Sequence, residues 1–263
     1  MLQPLFLEEI NDRGVARITL TRPEVHNAFN DTLITELTAA LRGLGTDERV
    51  RAVVIAAQGR SFSAGADLNW MQRMARNTAS ENLADARALV RLMRTLDTLP
   101  KPTLALVQGA AIGGGVGLVA CCDMAIAAET AHFCLSEVKL GLIPAVIAPY
   151  VIAAMGERAA RRYFLSAERF TAPVALALGL VHRVVPDEAL EDAGAKLVRE
   201  LLRGGPAAQV AAKELIFDIS GRPRDEAMVE DTAARIARIR ASAEGREGIA
   251  AFLEKRKPKW TKD

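Results

Sequence analysis

Residues 108–117, which read QGAAIGGGVG, decide the fold. They follow the apolar run Thr103–Val107 and lead into residues 118–123, which have helical character, so the stretch predicts a strand, a glycine turn and a helix. Consecutive glycines are costly in chain entropy, and they are tolerated where the backbone needs a positive φ or must be approached closely. Amides at such a helix start point outward and attract an anion, or an oxygen that becomes anionic during a reaction.

These glycines match neither of the common phosphate-binding loops. The dinucleotide fingerprint G-x-G-x-x-G fits no register of them, and the P-loop fails because Gly115 and Val116 stand where Lys and Ser or Thr are required. Two interpretations stay open from the glycines alone. The turn aims its amides at a reacting oxygen, or it only lets a helix pack closely on a strand.

Composition is that of an ordinary globular protein, with 263 residues of which 50% are hydrophobic and 25% charged. The formal net charge of +2 creates no strong field for nucleic acid or a membrane surface. No stretch approaches the ~20 apolar residues of a spanning helix, and the first residues show no signal pattern. We therefore expect a soluble, cytoplasmic protein.

The residues that commonly bind metals give no metal pattern. The three cysteines lie in apolar segments without C-x-x-C spacing, so buried, reduced thiols are expected. The three histidines show no ligand spacing, and no metal site is expected.

Hydrophobic periodicity predicts alternating strands and helices in the first part of the chain. Residues 16–20 alternate like a half-buried strand, whereas residues 50–57 are continuously apolar, as in a strand buried on both faces. A helix is predicted from Asn30-Asp31 to about Gly43 and Gly45, and another over residues 83–99. This alternation is typical of a parallel sheet covered by helices.

The later part of the chain has a different pattern. Residues 75–80 are polar and predict a mobile connection, and residues 124–128 and 131–134 predict two short strands. From residue 149 onward the chain reads as almost all helical, with apolar stripes that need another surface to cover them.

A second turn is predicted in residues 61–71, which read SFSAGADLNWM. Small residues precede Asp67 and an apolar helical run follows, so this is a second turn with exposed amides, in which Asp67 can cap the helix. Ser63 is a poor candidate for a nucleophile, because G-x-S-x-G is absent and no paired histidine is evident.

Five motifs in order resemble the crotonase, or enoyl-CoA hydratase/isomerase, superfamily over essentially the whole chain. They are RP at 22–23 with NA at 27–28, FSAGADL at 62–68, GAAIGGG at 109–115, SEVKLGLIP at 136–144 and FLEKRKP at 252–258. The resemblance implies an α/β fold: a crotonase-like spiral core of repeated ββα units with the acyl-CoA site in residues 1–200, and a helical C-terminal trimerisation region in residues 201–263. Within the superfamily, the chain is most similar to bacterial 3-methylglutaconyl-CoA hydratases.

The resemblance also implies roles for individual residues. The backbone amides of Ala66 and Gly114 match the oxyanion hole that stabilises a thioester enolate, and Glu137 matches a catalytic glutamate. Substrate and coenzyme A contacts are expected at Val25, His26, Ala64, Asp67, Leu68, Trp70, Ile112, Gly113 and Lys257. The family often has a basic residue in the loop before His26, but Glu24 and Val25 are not basic.

The acyl group is expected in a pocket lined by Asn69, Trp70, Met71, Met74, Ile143 and Tyr150. If the substrate carries a second carboxylate, a cation must meet it, and the candidates are Arg73, Arg76 and Lys139. The resemblance implies an acyl-CoA substrate, a homotrimer or a hexamer of two trimers, no membrane association and no cofactor beyond the coenzyme A of the substrate.

One position departs from the two-glutamate hydratases, because Gly117 stands where they carry the second glutamate. This leaves three possibilities. Glu137 activates the water and also transfers the proton, or a carboxylate from another part of the chain activates the water. Alternatively, the reaction is an isomerisation, for which one base is sufficient. Gly117→Glu is expected to fold, provided that the pocket is roomy at this position.

The resemblance favours a hydratase that adds water to a branched 2-enoyl-CoA such as 3-methylglutaconyl-CoA, in leucine breakdown. The alternatives are an enoyl-CoA isomerase, or a non-catalytic member that binds coenzyme A or RNA. RNA binding is disfavoured because the basic C-terminal cluster lacks interleaved aromatic residues except Trp260.

Overall fold

The computed structural model describes residues 4–261. Within that range the strands, in chain order, are β1 Phe6–Ile10, β2 Val15–Leu20, β3 Ala52–Ala57, β4 Ser61–Ser63, β5 Thr103–Val107, β6 Ala110–Ile112, β7 Met124–Ala128, β8 His132–Cys134, β9 Phe170–Thr171 and β10 Arg183–Val185. The helices are α1 Asp31–Thr46, α2 Leu68–Met74, α3 Ala79–Asp97, α4 Gly114–Cys121, α5 Ala148–Met155, α6 Glu157–Ser166, α7 Ala172–Ala177, α8 Leu190–Arg203, α9 Pro206–Ile219, α10 Glu226–Ala241 and α11 Ala243–Leu253.

The strands form two sheets, a large one in the order β1-β2-β3-β5-β7-β10 and a small one in the order β4-β6-β8-β9. Neighbouring strands are parallel except in the pairs β1–β2 and β8–β9. From β3 onward the chain places one strand in the large sheet, the next in the small sheet, and then a helical segment, three times in succession. This repetition confirms the predicted α/β spiral of ββα units.

The central strands β3, β5 and β7 of the large sheet are buried on both faces, as predicted for residues 50–57. Val53 and Ile55 of β3 belong to the main core, which also holds the apolar faces of α1 and α3. Val54 and Ala56 point the other way, into a second cluster under α8. Alternate residues of an extended strand face opposite sides of the sheet, so a continuously apolar strand needs a cover on each side.

Two helices differ from the prediction at their ends. The Asn30 side chain accepts a hydrogen bond from the Leu33 amide and starts α1, as predicted, but α1 continues past both glycines to Thr46. Leu44 is 2% exposed, and its burial holds the last turn. α3 begins at Ala79 rather than residue 83, because Thr78 and Glu81 form a reciprocal capping box.

The second half is less uniformly helical than predicted, because β9 and β10 interrupt it and each adds an edge to one of the two sheets. α9 and α10 bury no residue against the rest of residues 4–261. Large apolar side chains on these helices and on α11 are exposed: Ile216, Phe217, Val229, Ile236, Ile249, Phe252 and Leu253. Exposed apolar surface of this extent is typical of a region that packs against another surface. The assignment of the region from residue 201 to trimer formation stays a prediction.

The cysteines are free and buried, as predicted. No helix within residues 4–261 is long and apolar enough to cross a lipid bilayer. The same residues contain no group of three or more His, Cys, Asp or Glu side chains placed to hold a metal ion.

Candidate active site

The first turn of the site follows β4 and presents the amide of Ala66. Phe29 pairs with Ala66 in a parallel bridge, in which the Phe29 amide donates to the Gly65 carbonyl (2.6 Å) and the Asp67 amide donates to the Phe29 carbonyl (2.8 Å). Successive amides of an extended segment point to opposite sides. The Ala66 amide therefore points away from Phe29.

The second turn lies between β6 and α4 and presents the amide of Gly114. Gly113 has φ +52°, which favours glycine, and its amide donates to the Cys134 carbonyl (2.8 Å). Gly114 is the first residue of α4, so its own amide has no partner in the helix. A Cβ on Gly114 would lie 2.7 Å from Cε2 of Phe29, which leaves no room for a side chain.

The two turns are in direct contact. A Cβ on Gly65 would lie 3.8 Å from the Gly114 nitrogen, and one on Gly115 would lie 2.5 Å from the Ser63 carbonyl oxygen. Neither the Ala66 nor the Gly114 amide donates a hydrogen bond to any other group of residues 4–261. Two unpaired N–H donors thus lie on adjacent turns, and both line one pocket of about 510 Å³.

Glu137 lines the same pocket, at the start of a 3₁₀ helix Glu137–Leu140 that follows β8. Its Oε1 lies 3.0 Å from the position that a Cβ on Gly113 would take, so the glycine leaves room for the carboxylate. Its Oε2 is buried and has no hydrogen-bond partner in the described part of the chain. Burial raises the pKa of Glu137 above its ordinary value, which suits a group that accepts and returns a proton.

Most of the residues expected at the substrate come together here. The pocket is lined by Ala64, Ala66, Leu68, Trp70, Ile112, Gly113, Gly114 and Glu137, together with Met71, Met74 and Ile143 from the expected acyl pocket. Asn69 and Tyr150 are not among the lining residues, contrary to expectation. Asn69 is on the exposed side of α2, and Tyr150 packs against the main core.

Val25 and His26 lie beside the first turn. The His26 carbonyl accepts a hydrogen bond from the Ala64 amide (2.9 Å), and Nδ1 of the His26 ring lies 3.0 Å from the Ser61 hydroxyl oxygen. This loop therefore adjoins the Ala64 edge of the pocket. Lys257 follows α11 and is exposed.

Asp67 is 5% exposed, and its carboxylate is bound by other groups of the protein. It accepts hydrogen bonds from the Asn69 and Trp70 amides at the start of α2, which confirms the predicted cap, and it pairs with Arg22 at 2.8 Å. Burial alone would raise its pKa, but Arg22 and the two amides hold that pKa below the ordinary value. Ser63 donates its hydroxyl proton to the Asn27 carbonyl and is fully buried, which does not suit a nucleophile.

The pocket is not roomy at Gly117, so the condition for Gly117→Glu to fold is not met. A Cβ there would lie 2.3 Å from Cγ2 of Ile147 and 3.2 Å from Cε of Met93. Gly117 is therefore a close-packing position between α4, α3 and the start of α5, and a glutamate could not enter the pocket from it without displacing Ile147.

The three candidate cations also lie outside the pocket lining. Lys139 donates to the Ala167 carbonyl (2.7 Å). Arg73 pairs with Asp31 at 2.8 Å and lines a separate cavity of about 300 Å³ that shares Trp70 and Asp85 with the acyl pocket. Arg76 is exposed.

Some residues that line the pocket were not predicted from the sequence. Asn82, Asp85, Ala86 and Leu89 of α3 line the pocket, and their spacing of three and four residues is that of one helix face. That spacing could have identified them. Phe29, which fixes both turns, carries no such signal, because its contacts are with residues far away in sequence.

The sequence profile described as enoyl-CoA hydratase/isomerase matches residues 10–263. A putative enoyl-CoA hydratase of Thermus thermophilus is 37% identical and aligns with 96% of this chain and 99% of that protein. The 2,3-dehydroadipyl-CoA hydratase of Escherichia coli is 34% identical, with 93% and 94% covered. The crystal structure of an enoyl-CoA hydratase from Shewanella pealeana superposes with a TM-score of 0.95 at 48% identity, covering 98% of this chain and 96% of that one.

Two open amides on adjacent turns, with a carboxylate beside them, form an arrangement that can stabilise an oxyanion and transfer a proton. The profile match and the relatives then fix the family: the chain belongs to the enoyl-CoA hydratase/isomerase family, the crotonase superfamily. Acyl-CoA is the substrate class of that family.

Proposed function

We propose that the protein binds an acyl-CoA thioester with its carbonyl oxygen between the Ala66 and Gly114 amides, and that Glu137 moves a proton at the neighbouring carbon. The observation that carries this proposal is the shared pocket, in which two free amides and a carboxylate with an unpartnered oxygen line one cavity. Removing a carbon-bound proton leaves an enolate with negative charge on the thioester oxygen. Fixed N–H donors in a dry site stabilise such a charge, each by roughly 3–4 kcal/mol.

We propose further that the reaction is the hydration of a branched 2-enoyl-CoA, with 3-methylglutaconyl-CoA of leucine breakdown as the leading candidate. Glu137 takes a proton from water as the water oxygen bonds to the β-carbon, and the electrons of the double bond move to the thioester oxygen. Glu137 then returns the proton to the α-carbon, so that one water is added and the carboxylate is regenerated. The hydratase names of the relatives support this reaction, and the E. coli relative is named for a substrate with a second carboxyl group.

Isomerisation of a 3-enoyl-CoA is the second candidate, and the packing at Gly117 favours it. With Ile147 filling the place of a second glutamate, no carboxylate enters the pocket from position 117. Asp67 of the first turn is paired with Arg22, and Asp85 lines the α3 wall of the pocket. One base suffices to remove a proton from one carbon and return it two carbons away.

The coenzyme A part of the substrate is proposed to lie along Ala64, Leu68 and the loop of Val25 and His26, with Lys257 near its phosphates. No further cofactor is proposed. We also propose that the exposed apolar faces of α9, α10 and α11 are covered in a homotrimer, or in a hexamer of two trimers.

The test measures turnover of crotonyl-CoA, 3-methylglutaconyl-CoA and a 3-enoyl-CoA by the purified protein and by Glu137→Gln. Hydration predicts loss of enoyl-thioester absorbance with the first two substrates and none with Glu137→Gln. Glu129→Gln is the matched control, because Glu129 is exposed and does not line the pocket. Turnover of the 3-enoyl-CoA alone would favour isomerisation. Full activity of Glu137→Gln would contradict both.

A further inference from the structure

The acyl pocket changes character along α3. Four residues of this helix face the pocket, and the two nearest its N-terminus, Asn82 and Asp85, are polar, whereas Ala86 and Leu89 are apolar. Farther along, Leu92 and Met93 are fully buried in the core. The face therefore runs from polar at the N-terminal end to apolar where α3 enters the core.

The two polar residues precede the apolar part of this wall along α3. Met93 approaches α4, because its Cε lies 3.2 Å from the place of a Cβ on Gly117. An α-helix rises about 1.5 Å per residue, so Asp85 lies roughly 6 Å and Asn82 roughly 10 Å before Leu89 along the helix axis. An acyl chain that runs along this wall passes both apolar surface and polar groups.

Both polar groups sit on a fixed part of α3. The Thr78–Glu81 capping box holds the first turn of the helix, and Asp85 accepts a hydrogen bond from the Asn77 amide group (3.2 Å). Neither Arg73, Arg76 nor Lys139 lines this pocket. This part of the pocket wall thus offers one amide and one carboxylate, and no Lys or Arg of the described residues lines the pocket.

We propose that Asn82 and Asp85 are specificity-determining residues that select an acyl group with a hydrogen-bonding end. The inference rests on the proposed function, because it assumes that the acyl chain occupies this pocket. A methyl-ended chain packed against the half-buried Asp85 would remove water from its carboxylate without replacing the hydrogen bonds, which is costly, whereas a polar end replaces them. Asn82 is exposed and offers its amide as a second polar contact.

The polar end has two possible chemistries, which the two residues distinguish. A hydroxyl group donates its proton to the Asp85 carboxylate. A carboxylate accepts hydrogen bonds from the Asn82 amide and is repelled by Asp85. The variant Asp85→Asn therefore lowers kcat/KM for a hydroxyl-ended substrate and raises it for a carboxylate-ended one.

The experiment compares kcat/KM for three enoyl-CoA thioesters of equal chain length that end in methyl, hydroxyl or carboxylate. The proteins are the wild type, Asn82→Leu, Asp85→Leu and Asp85→Asn, with Arg87→Leu as the control on the exposed side of α3. Thermal unfolding checks that each variant folds. We expect the preference for one polar end over methyl to fall by at least about tenfold in Asn82→Leu or Asp85→Leu, and to be unchanged in Arg87→Leu.

A wild-type preference for the methyl end, or a preference that no pocket variant changes, would overturn the inference. Dissociation constants of saturated thioesters with the same three ends, measured on Glu137→Gln and its double variants, report the same selectivity without turnover. An inactive wild type that still discriminates the three ends in binding would therefore contradict the proposed function alone.

Discussion

The turn at residues 64–67 is held in place by polar side chains, whereas the turn at residues 113–115 is held by the absence of side chains. In the first, Asp67 caps α2 and pairs with Arg22, while the Asn27 amide donates to the Gln58 and Ser61 carbonyls. In the second, glycines allow Phe29, Ser63 and Glu137 to approach the backbone. Both arrangements present one open amide.

A backbone donor can therefore be held in place in two ways, and a different kind of mutation disrupts each. Removing a side chain should loosen the first turn and destabilise the protein. Adding a side chain should displace the second turn, or remove its donor, and should act first on catalysis.

The largest expected effect is loss of stability in Asp67→Ala. This change leaves Arg22, whose side chain is 13% exposed, without its partner and also removes the α2 cap. Breaking a buried pair typically costs about 3–5 kcal/mol. Thermal or urea unfolding measures the loss, with Asp31→Ala as the control, because the Asp31–Arg73 pair is more than half exposed and should contribute less than about 1 kcal/mol.

The Asp67–Arg22 pair also makes the stability difference between wild type and Asp67→Ala depend on pH. The pKa of Asp67 is lowered in the folded protein, so its contribution is present above the unfolded pKa and is lost as the pH falls through the folded pKa. The stability gap between wild type and Asp67→Ala should therefore narrow in acid. An equal gap at every pH would show that the ion pair contributes nothing.

Next in size is the effect of Gly114→Pro on turnover. Proline fits the first position of a helix but has no N–H, so the variant deletes the second donor. A fall in kcat of roughly 100- to 1000-fold is expected. Gly114→Ala introduces a similar contact with Phe29 but keeps the amide, and it should be the more active of the two. Equal activities would remove the Gly114 amide from the oxyanion site.

A smaller effect is expected at Gly117, where the added Cβ meets packed side chains rather than open space. Gly117→Ala places a methyl group 2.3 Å from Cγ2 of Ile147 and should cost about 1–3 kcal/mol of unfolding free energy. The double variant with Ile147→Ala removes the contacted atom and should recover part of the loss. Gly117→Glu should be worse than Gly117→Ala, because it also buries a charge.

The smallest effect concerns the burial of Glu137. Its pKa is raised on folding, so the ionised form destabilises the native state, and this penalty develops as the pH rises from the unfolded to the folded pKa. Glu137→Gln should therefore be more stable than wild type at pH 7 and should gain little at pH 4. Thermal unfolding at the two pH values tests this sign.

The turns themselves could be predicted from sequence because their signals are local. The glycine run and the Asp67 cap each lie within a few residues of the amide they serve, and the apolar run of β3 shows directly that both of its faces are buried. The spacing of three and four residues on α3 is likewise a local signal for the helix face that lines the pocket. Division of the chain at residue 200 rests on the family resemblance alone.

What could not be predicted depends on contacts between distant parts of the chain. Gly117 is packed against Ile147, thirty residues later in the chain, and this contact excludes the side chain that a pocket position would carry. Phe29 sets the position of both turns through one bridge to Ala66 and one ring contact at Gly114. Lys139, one of the three candidate cations, donates to the Ala167 carbonyl at the end of α6, 28 residues later, and no residue spacing reports such a contact.

The most direct test is a crystal structure of the protein with a bound, unreactive acyl-CoA. The account predicts the thioester oxygen within about 2.7–3.1 Å of both the Ala66 and the Gly114 nitrogen, with the Glu137 carboxylate beside the α-carbon. A thioester bound elsewhere, or one whose oxygen meets neither amide, would contradict it.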